Sequence, residues 1–257
     1  MIEKKIYYFW YGSSEPKYVQ NDIDSWKRCN PDFEVIKIPE EYIDMNLEWN
    51  KKAFKRKNWS YLSDPARFNF MRSHSGIYLD TDTFMINPFT QDMLESSIFL
   101  YCESAKCICP GAIGSDGSDF SKQFLNDWYA VYENWNEGSL VSSPTMFMSI
   151  GEKYNLKPVK HDFAEYPNNV KIYAKEYFRP FSYSSRAING ASINEKTIAV
   201  DLGMASAIPT SGWAKNLKTK FDTLEQEIKE GIKKYGTADS WKYYSREVTI
   251  DPFIKGN

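Results

Sequence analysis

Residues 5–38 constrain the fold most, because the apolar period changes twice within them. KIYYFWY (5–11) is an aromatic run of strand length closed by Gly12-Ser13-Ser14, which reads as a buried strand ending in a loop that opens at Trp10 and Tyr11. Residues 19–29 then carry Val19, Ile23 and Trp26 at helical spacing until Asn30-Pro31 stops the pattern. FEVIKI (33–38) alternates as a second strand. A strand, a helix and a strand in succession predict an α/β protein.

The pattern returns in WSYLSDPARFNFMRSHSGIYLDTDTF (59–84). Asp64 before Pro65 reads as an N-cap followed by a first-turn proline, which places Arg67 in the first turn of a helix. Gly76 reads as that helix's stop. His74, in the last turn, is positioned to meet the helix carbonyls. Ile77-Tyr78-Leu79 is then a third strand, with Asp80 and Asp82 at its carboxyl end. In open α/β sheets ligands bind at that edge.

Beyond Pro88 the reading is coarser. A helix is predicted near residues 90–96 and a strand at 97–101, followed by the Gly/Ser/Asp stretch GAIGSDGSDF and a helix over 120–135 bearing Phe124, Trp128, Val131 and Trp135. Residues 134–144 read as loop, and 190–203 as room for a strand pair. Asp222-Thr223-Leu224-Glu225 has the form of a capping box ahead of a stripe of Leu224, Ile228 and Ile232. Such a stripe packs on a core, or faces a membrane or partner helix. Without repeats or a linker, the 257 residues are expected to form one domain.

Composition excludes some classes. With 32 basic against 34 acidic residues the formal net charge is -2, so no global field recruits nucleic acid. Aromatic residues reach 16%, enough to fill cores and still face sugars or bases. Cys29, Cys102, Cys107 and Cys109 match neither metal knuckles nor a disulfide framework and read as reduced, chiefly buried thiols. The first apolar run is too short for a signal peptide or a membrane span, so a cytoplasmic protein is expected, with peripheral work at the inner face of the membrane left open.

Two aspartates one residue apart repel unless something positive sits between them. A hard divalent cation, Mn²⁺ or Mg²⁺, accepts two such carboxylates directly or through water and keeps positions open for phosphate oxygens. Turns also use aspartate for backbone hydrogen bonds, so the pair alone does not decide. Arg67 offers a second positive partner, for a phosphate or for a carboxylate.

Taken together, Lys5-Ile6 with Trp10 and Gly12, Ser25-Trp26 with Asn30-Pro31, Ser63-Asp64 with Arg67, and Gly76 through Asp82 resemble glycosyltransferase family 32, the sugar-nucleotide transferases with a DXD signature. The catalytic core of the large clostridial glucosylating toxins is similar too. KIYAKEYFRPFSY (171–183) resembles a later family segment. The likeness is specific over roughly the first ninety residues.

The resemblance implies a GT-A-like nucleotide-binding fold with a mostly parallel central sheet and helical additions, with about residues 1–115 binding the nucleotide sugar and about 116–257 facing the acceptor. It implies that Trp10 stacks on the nucleotide base with Phe9 beside it, that Ser63 and Asp64 lie at the ribose or an acceptor-side group, and that Arg67 organises the site. Tyr78 and Asp80 would contact ribose and sugar, and Asp82 would ligate the metal. A UDP-sugar donor, a saccharide or lipid-linked saccharide acceptor, retention of anomeric configuration and a role in surface polysaccharide synthesis follow from the same analogy. The family's C-terminal histidine segment is missing. Ser211 and Trp213, in PTSGWAKN, stand closest to the toxins' serine and tryptophan, with Ser211 toward the metal and Trp213 toward the departing diphosphate.

Two rival readings use the same residues. LDTDTF also resembles the strand end of haloacid-dehalogenase-like phosphotransferases, in which GSDGSD (114–119) would supply the acidic metal motif. A sugar-nucleotide-binding protein without turnover would also fit the missing histidine.

Overall fold

The protein is represented by a computed structural model, which describes residues 1–136, 138–180, 182–184, 187–189, 193–201 and 229–237. The strand, helix, strand opening is present as β1 (Lys5–Tyr8), α1 (Lys17–Cys29) and β2 (Glu34–Lys37). Two helices, α2 (Glu48–Lys55) and α3 (Trp59–Met71), lead into β3 (Gly76–Leu79). A short β4 (Thr83–Met85) and α4 (Gln91–Leu94) precede β5 (Ile98–Ser104) and β6 (Cys107–Ser115). Then come α5 (Asp119–Glu133), α6 (Ser143–Lys153), β7 (Phe163–Tyr166) and β8 (Val170–Tyr173). Short strands β9 (Ser182–Ser184), β10 (Ala187–Asn189) and β11 (Ala199–Asp201) follow, and residues 229–235 are helical.

The central sheet has seven strands in the order β2-β1-β3-β6-β5-β8-β7. β1 runs parallel to β2 and β3, and β5 parallel to β8, while β6 and β7 run against their neighbours. Five strands thus share one direction, and the expected α/β class with a mostly parallel sheet stands. Strands from beyond residue 115 extend the same sheet.

Both faces of the sheet are covered, and the strands sort their side chains by alternation. Tyr7 and Tyr78 face a core built with Trp49, Phe68, Trp128 and Tyr132, whereas Ile6, Tyr8, Ile77 and Leu79 face a second core with Val19, Ile23, Trp26 and Phe178. Ile232 is fully buried, in keeping with a packing stripe; Leu224 and Ile228 lie outside the described residues. No helix among the described residues is long and apolar enough to cross a membrane.

Several expectations need correcting. Asp64 is not an N-cap: α3 begins at Trp59 after Asn58, so Asp64 and Pro65 lie inside it and Arg67 lies beyond the first turn. Proline is tolerated there because the carbonyl it deprives of a donor, that of Tyr61, accepts the Trp49 indole N–H at 2.7 Å. Gly76 is not the helix stop, since α3 ends at Met71; it opens β3 at φ 142°. A Cβ there would lie 2.4 Å from Tyr7 Cε2. Much of GAIGSDGSDF is strand, with Gly111 and Gly114 giving room to Tyr101 and to the Phe99 ring on the neighbouring β5. The expected strand pair in 190–203 contributes β11, which pairs with β4.

The thiol expectation agrees with the structure, and His74 meets a helix carbonyl as expected, though from beyond the end of α3 rather than from its last turn. The four cysteines are free, three of them buried. His74 Nδ1 lies 2.9 Å from the Phe70 carbonyl, and its ring stacks on Phe70 at 3.9 Å.

Candidate functional site at the carboxyl ends of β1 and β3

β1 and β3 run side by side, so the residues just past them, Phe9-Trp10 and Asp80-Thr81-Asp82, emerge at one edge of the sheet. The return strand β6 closes this edge: the Asp80 amide donates to the Gly111 carbonyl at 2.7 Å. A Cβ on Gly111 would lie 2.9 Å from Asp80 Oδ2 and 2.8 Å from the Tyr101 hydroxyl oxygen. Glycine lets the strand pass under both groups.

Arg67 is the centre of the arrangement. It is 3% exposed, and its guanidinium contacts Asp64 Oδ1 at 2.9 Å and Asp80 Oδ1 at 3.1 Å. It donates also to the Pro110 carbonyl at 2.9 Å and to Ser63 Oγ at 3.2 Å. The Tyr78 ring lies beneath it, 4.5 Å from the guanidinium carbon to the ring centroid, and the Tyr78 hydroxyl donates to Asp80 Oδ1 at 2.9 Å. The positive group beside Asp80 is therefore part of the chain itself.

Burial dominates the electrostatics. It opposes the charge on Arg67, but Asp80, Tyr78 and Asp64 more than offset it, and the pKa rises above the usual arginine value. Burial also lifts Asp64, to about 7; Arg67 pulls it back and Asp80 pushes it further. Asp80 is raised by burial against the pull of Arg67, with a further push from Asp201. Asp64 and Asp80 share one cation, so their protons are coupled.

Asp82 occupies a different neighbourhood, half-buried above α1, where its charge reaches the buried carboxyl of Asp22. Trp10 is also half-buried, its indole donating to the Ser13 carbonyl at 3.0 Å. Phe9 is 5% exposed, and its ring belongs to the sheet core. Tyr78 is 1% exposed, so its hydroxyl serves Asp80 rather than an open surface. Ser63 donates to the Ser60 carbonyl and braces Arg67. The structure thus joins Ser63, Asp64, Arg67, Tyr78 and Asp80 in one cluster, with Trp10 and Asp82 at the same edge. Ser211 and Trp213 lie outside the described residues.

Sequence reasoning missed Asp22 and Asp201. Asp22 lies three residues after Val19 and four before Trp26, a charge set in the apolar stripe of α1, and that anomaly was legible. Asp201 had no local signal. It arrives because β11 pairs with β4, Asp201 opposite Thr83, and it accepts the Tyr101 hydroxyl hydrogen bond. Arg179 Nη1 lies 3.9 Å from Asp201 Oδ2 and 2.8 Å from Glu103 Oε2.

GSDGSD is far from the aspartate pair. β6 is antiparallel to β3 with Ser115 opposite Gly76, so residues 114–119 sit at the opposite end of β3, roughly 13 Å from Asp80 at 3.3 Å per residue. There Asp116 accepts from the Ser118 amide at 3.0 Å and the Ser121 hydroxyl at 2.7 Å, forming the entry to α5. It is not available as the acidic motif of a phosphotransferase.

The family model for capsular polysaccharide synthesis proteins matches residues 1–115, the span from β1 through β6. The "Subversion of eukaryotic traffic protein A" of Legionella pneumophila is 27% identical over 127 residues, covering 38% of this chain and 20% of that protein. The match therefore spans about a fifth of that relative's length. Among solved structures, the PaToxG glycosyltransferase is 16% identical, with 59% of this chain and 68% of that one covered at a TM-score of 0.44. A glycosyltransferase involved in glycosylation of the major capsid of PBCV-1 is 10% identical, with 79% and 95% covered at a TM-score of 0.45.

Proposed function

We propose that this chain is a glycosyltransferase moving a sugar from a nucleotide diphosphate sugar, a UDP-sugar in the first instance, to a saccharide or lipid-linked acceptor in surface polysaccharide synthesis. The observation that carries the reading is the aspartate pair at the carboxyl end of β3, beside Trp10 and backed by the buried Asp64, Arg67, Tyr78 and Asp80 cluster. The capsular polysaccharide family match over residues 1–115 covers β1, α1, α3, β3, β4 and β6, which build that edge. The resemblance to the family 32 transferases and the glucosylating toxins adds the donor class and retention.

The residues at this edge fit a divalent cation. Asp22 Oδ2 is buried without a hydrogen-bond partner within reach of the Asp82 charge, an orphaned acceptor that a hard cation would satisfy. Asp82 would hold Mn²⁺ or Mg²⁺. Among the described residues no group of three or more His, Cys, Asp or Glu side chains is gathered to hold a metal, and the further ligands would be diphosphate oxygens, water and, by the resemblance alone, Ser211. A cation there supplies Lewis-acid stabilisation of the departing diphosphate.

The chain's own groups divide the remaining work. Trp10 offers a ring face to the base. Asp80, its Oδ1 held by Arg67 and Tyr78, keeps Oδ2 as a fixed acceptor for a sugar hydroxyl. A carboxylate so engaged is a poor nucleophile, and Asp64 is enclosed behind Arg67, which favours assistance to the leaving group over the double displacement of retaining glycosidases. Asp201, Tyr101 and Arg179 wall the site from the β11 side.

The test is hydrolysis of a panel of UDP- and GDP-sugars with Mn²⁺ and no acceptor, in wild type and Asp82→Asn. Metal-dependent release of nucleotide diphosphate by wild type, lost in a variant that still folds, is the expected result. Turnover surviving in Asp82→Asn with metal dependence unchanged would remove the reading, and donor binding without any turnover would replace it with a binding protein.

A further inference from the structure

Asp22 is the strangest polar residue in the described core. It is 4% exposed, it sits on the buried stripe of α1, and its Oδ2 finds no hydrogen-bond partner. A buried acid kept for structure is normally saturated with donors. Ser25 in the same turn is satisfied: its Oγ donates to the Asp22 carbonyl at 2.6 Å and accepts from the Met85 amide at 2.9 Å.

The position of Asp22 under the aspartate pair is fixed by two ties between α1 and β4. One is the Ser25 to Met85 bond; the other is the Trp26 indole, which donates to the Thr83 carbonyl at 2.6 Å. A helical side chain leans toward the turn before its own Cα, so Trp26 brings Thr83 over the turn that holds Asp22. Asp82 is the residue immediately before Thr83. The register of α1 against β4 therefore sets the Asp22 carboxyl beneath the Asp82 loop.

We infer that Asp22 belongs to the divalent-cation site, its carboxylate entering the shell of the ion held by Asp82, directly or through one of the ion's waters. This rests on the reading of Asp82 as a metal-holding residue. A single loop carboxylate such as Asp82 leaves several positions of a hard cation open, and a buried carboxylate on the side away from solvent fills one that substrate cannot reach.

Calorimetric titration of the full chain with MnCl₂, alone and with UDP, tests this on wild type, Asp22→Asn, Asp22→Leu and Asp82→Asn, alongside melting curves in EDTA and in MnCl₂. Both Asp22 variants are expected to melt in EDTA at or above the wild-type temperature, because an unsatisfied buried acid has been removed. They are expected to bind Mn²⁺ on the order of tenfold or more weakly, the scale seen even for groups that only support a ligand, and to lose the melting shift that Mn²⁺ gives wild type. Wild-type Mn²⁺ affinity in a folded Asp22 variant overturns the inference, and if Asp82→Asn loses binding in the same series the reading of Asp82 survives. An EDTA melting temperature lowered in both Asp22 variants with Mn²⁺ affinity intact assigns Asp22 a structural role and overturns it too. Failure of wild type to bind Mn²⁺ with or without UDP removes both. Leucine fits the buried stripe, so the experiment does not depend on Asp22→Asn folding.

Discussion

Replacing Arg67 by methionine keeps most of the side-chain length and removes the buried cation that bridges Asp64 and Asp80. The guanidinium now makes ion pairs at 2.9 and 3.1 Å and hydrogen bonds to Ser63 and Pro110. Breaking a buried ion pair from one side costs about 3–5 kcal/mol, because the partner charge stays behind. Against a typical total of about 5–15 kcal/mol, Arg67→Met should be severely destabilised at pH 8. The deficit has a pH signature. Asp64 and Asp80 are already raised by burial, and without Arg67 their folded pKa values rise further above the unfolded ones. The folded variant then binds protons that the unfolded chain does not, so its stability recovers as pH falls through those folded values toward 5. Urea unfolding followed by tryptophan fluorescence at pH 5 to 8 measures this, and the 8 tryptophans give ample signal. Arg67→Met/Asp64→Asn should recover part of the loss at pH 8, since one stranded charge is gone. A deficit under about 1 kcal/mol, or one that does not change with pH, would refute the account of Arg67 as the neutralising centre.

Three further perturbations follow from the same geometry. Asp64, lifted to about 7 chiefly by burial, should make wild-type stability fall as pH rises from 4 to 7; Asp64→Asn should flatten that slope, by at most about 1.4 kcal/mol per pH unit, in denaturant titrations across the range. Trp49→Phe leaves the Tyr61 carbonyl without the donor that compensates for Pro65, and should cost about 1–3 kcal/mol in the urea midpoint. Gly76→Ala places a Cβ 2.4 Å from the Tyr7 ring at φ 142°; a loss of about 1–3 kcal/mol from backbone strain alone should appear as a lowered melting temperature.

Local signals carried much of the fold. The aromatic run at β1, the Val19, Ile23 and Trp26 stripe and the alternation of β2 are each decided within a few residues, and the structure has all three elements where those patterns put them. The helix of residues 59–71 was misread because Asp64-Pro65 has the local form of a start. What overrides it is the Trp49 indole from α2, a partner that no short window contains. The strand character of β6 was hidden by its glycines, whose reason is the bulk of Phe99 and Tyr101 on the strand beside them.

The site divides along the same line. The sequence by itself determined that two aspartates end a buried strand, that Arg67 lies on the helix just before that strand, and that Trp10 ends the first strand, because each of these depends only on period and spacing. Only the tertiary structure decided which charge answers which. It gave Asp80 to Arg67 and Tyr78, set Asp82 over Asp22, and brought Asp201 beside Thr83. The physical reason is that ion pairs and burial depend on distance through space, and strand order and helix register, which fix those distances, are settled by packing two whole cores at once.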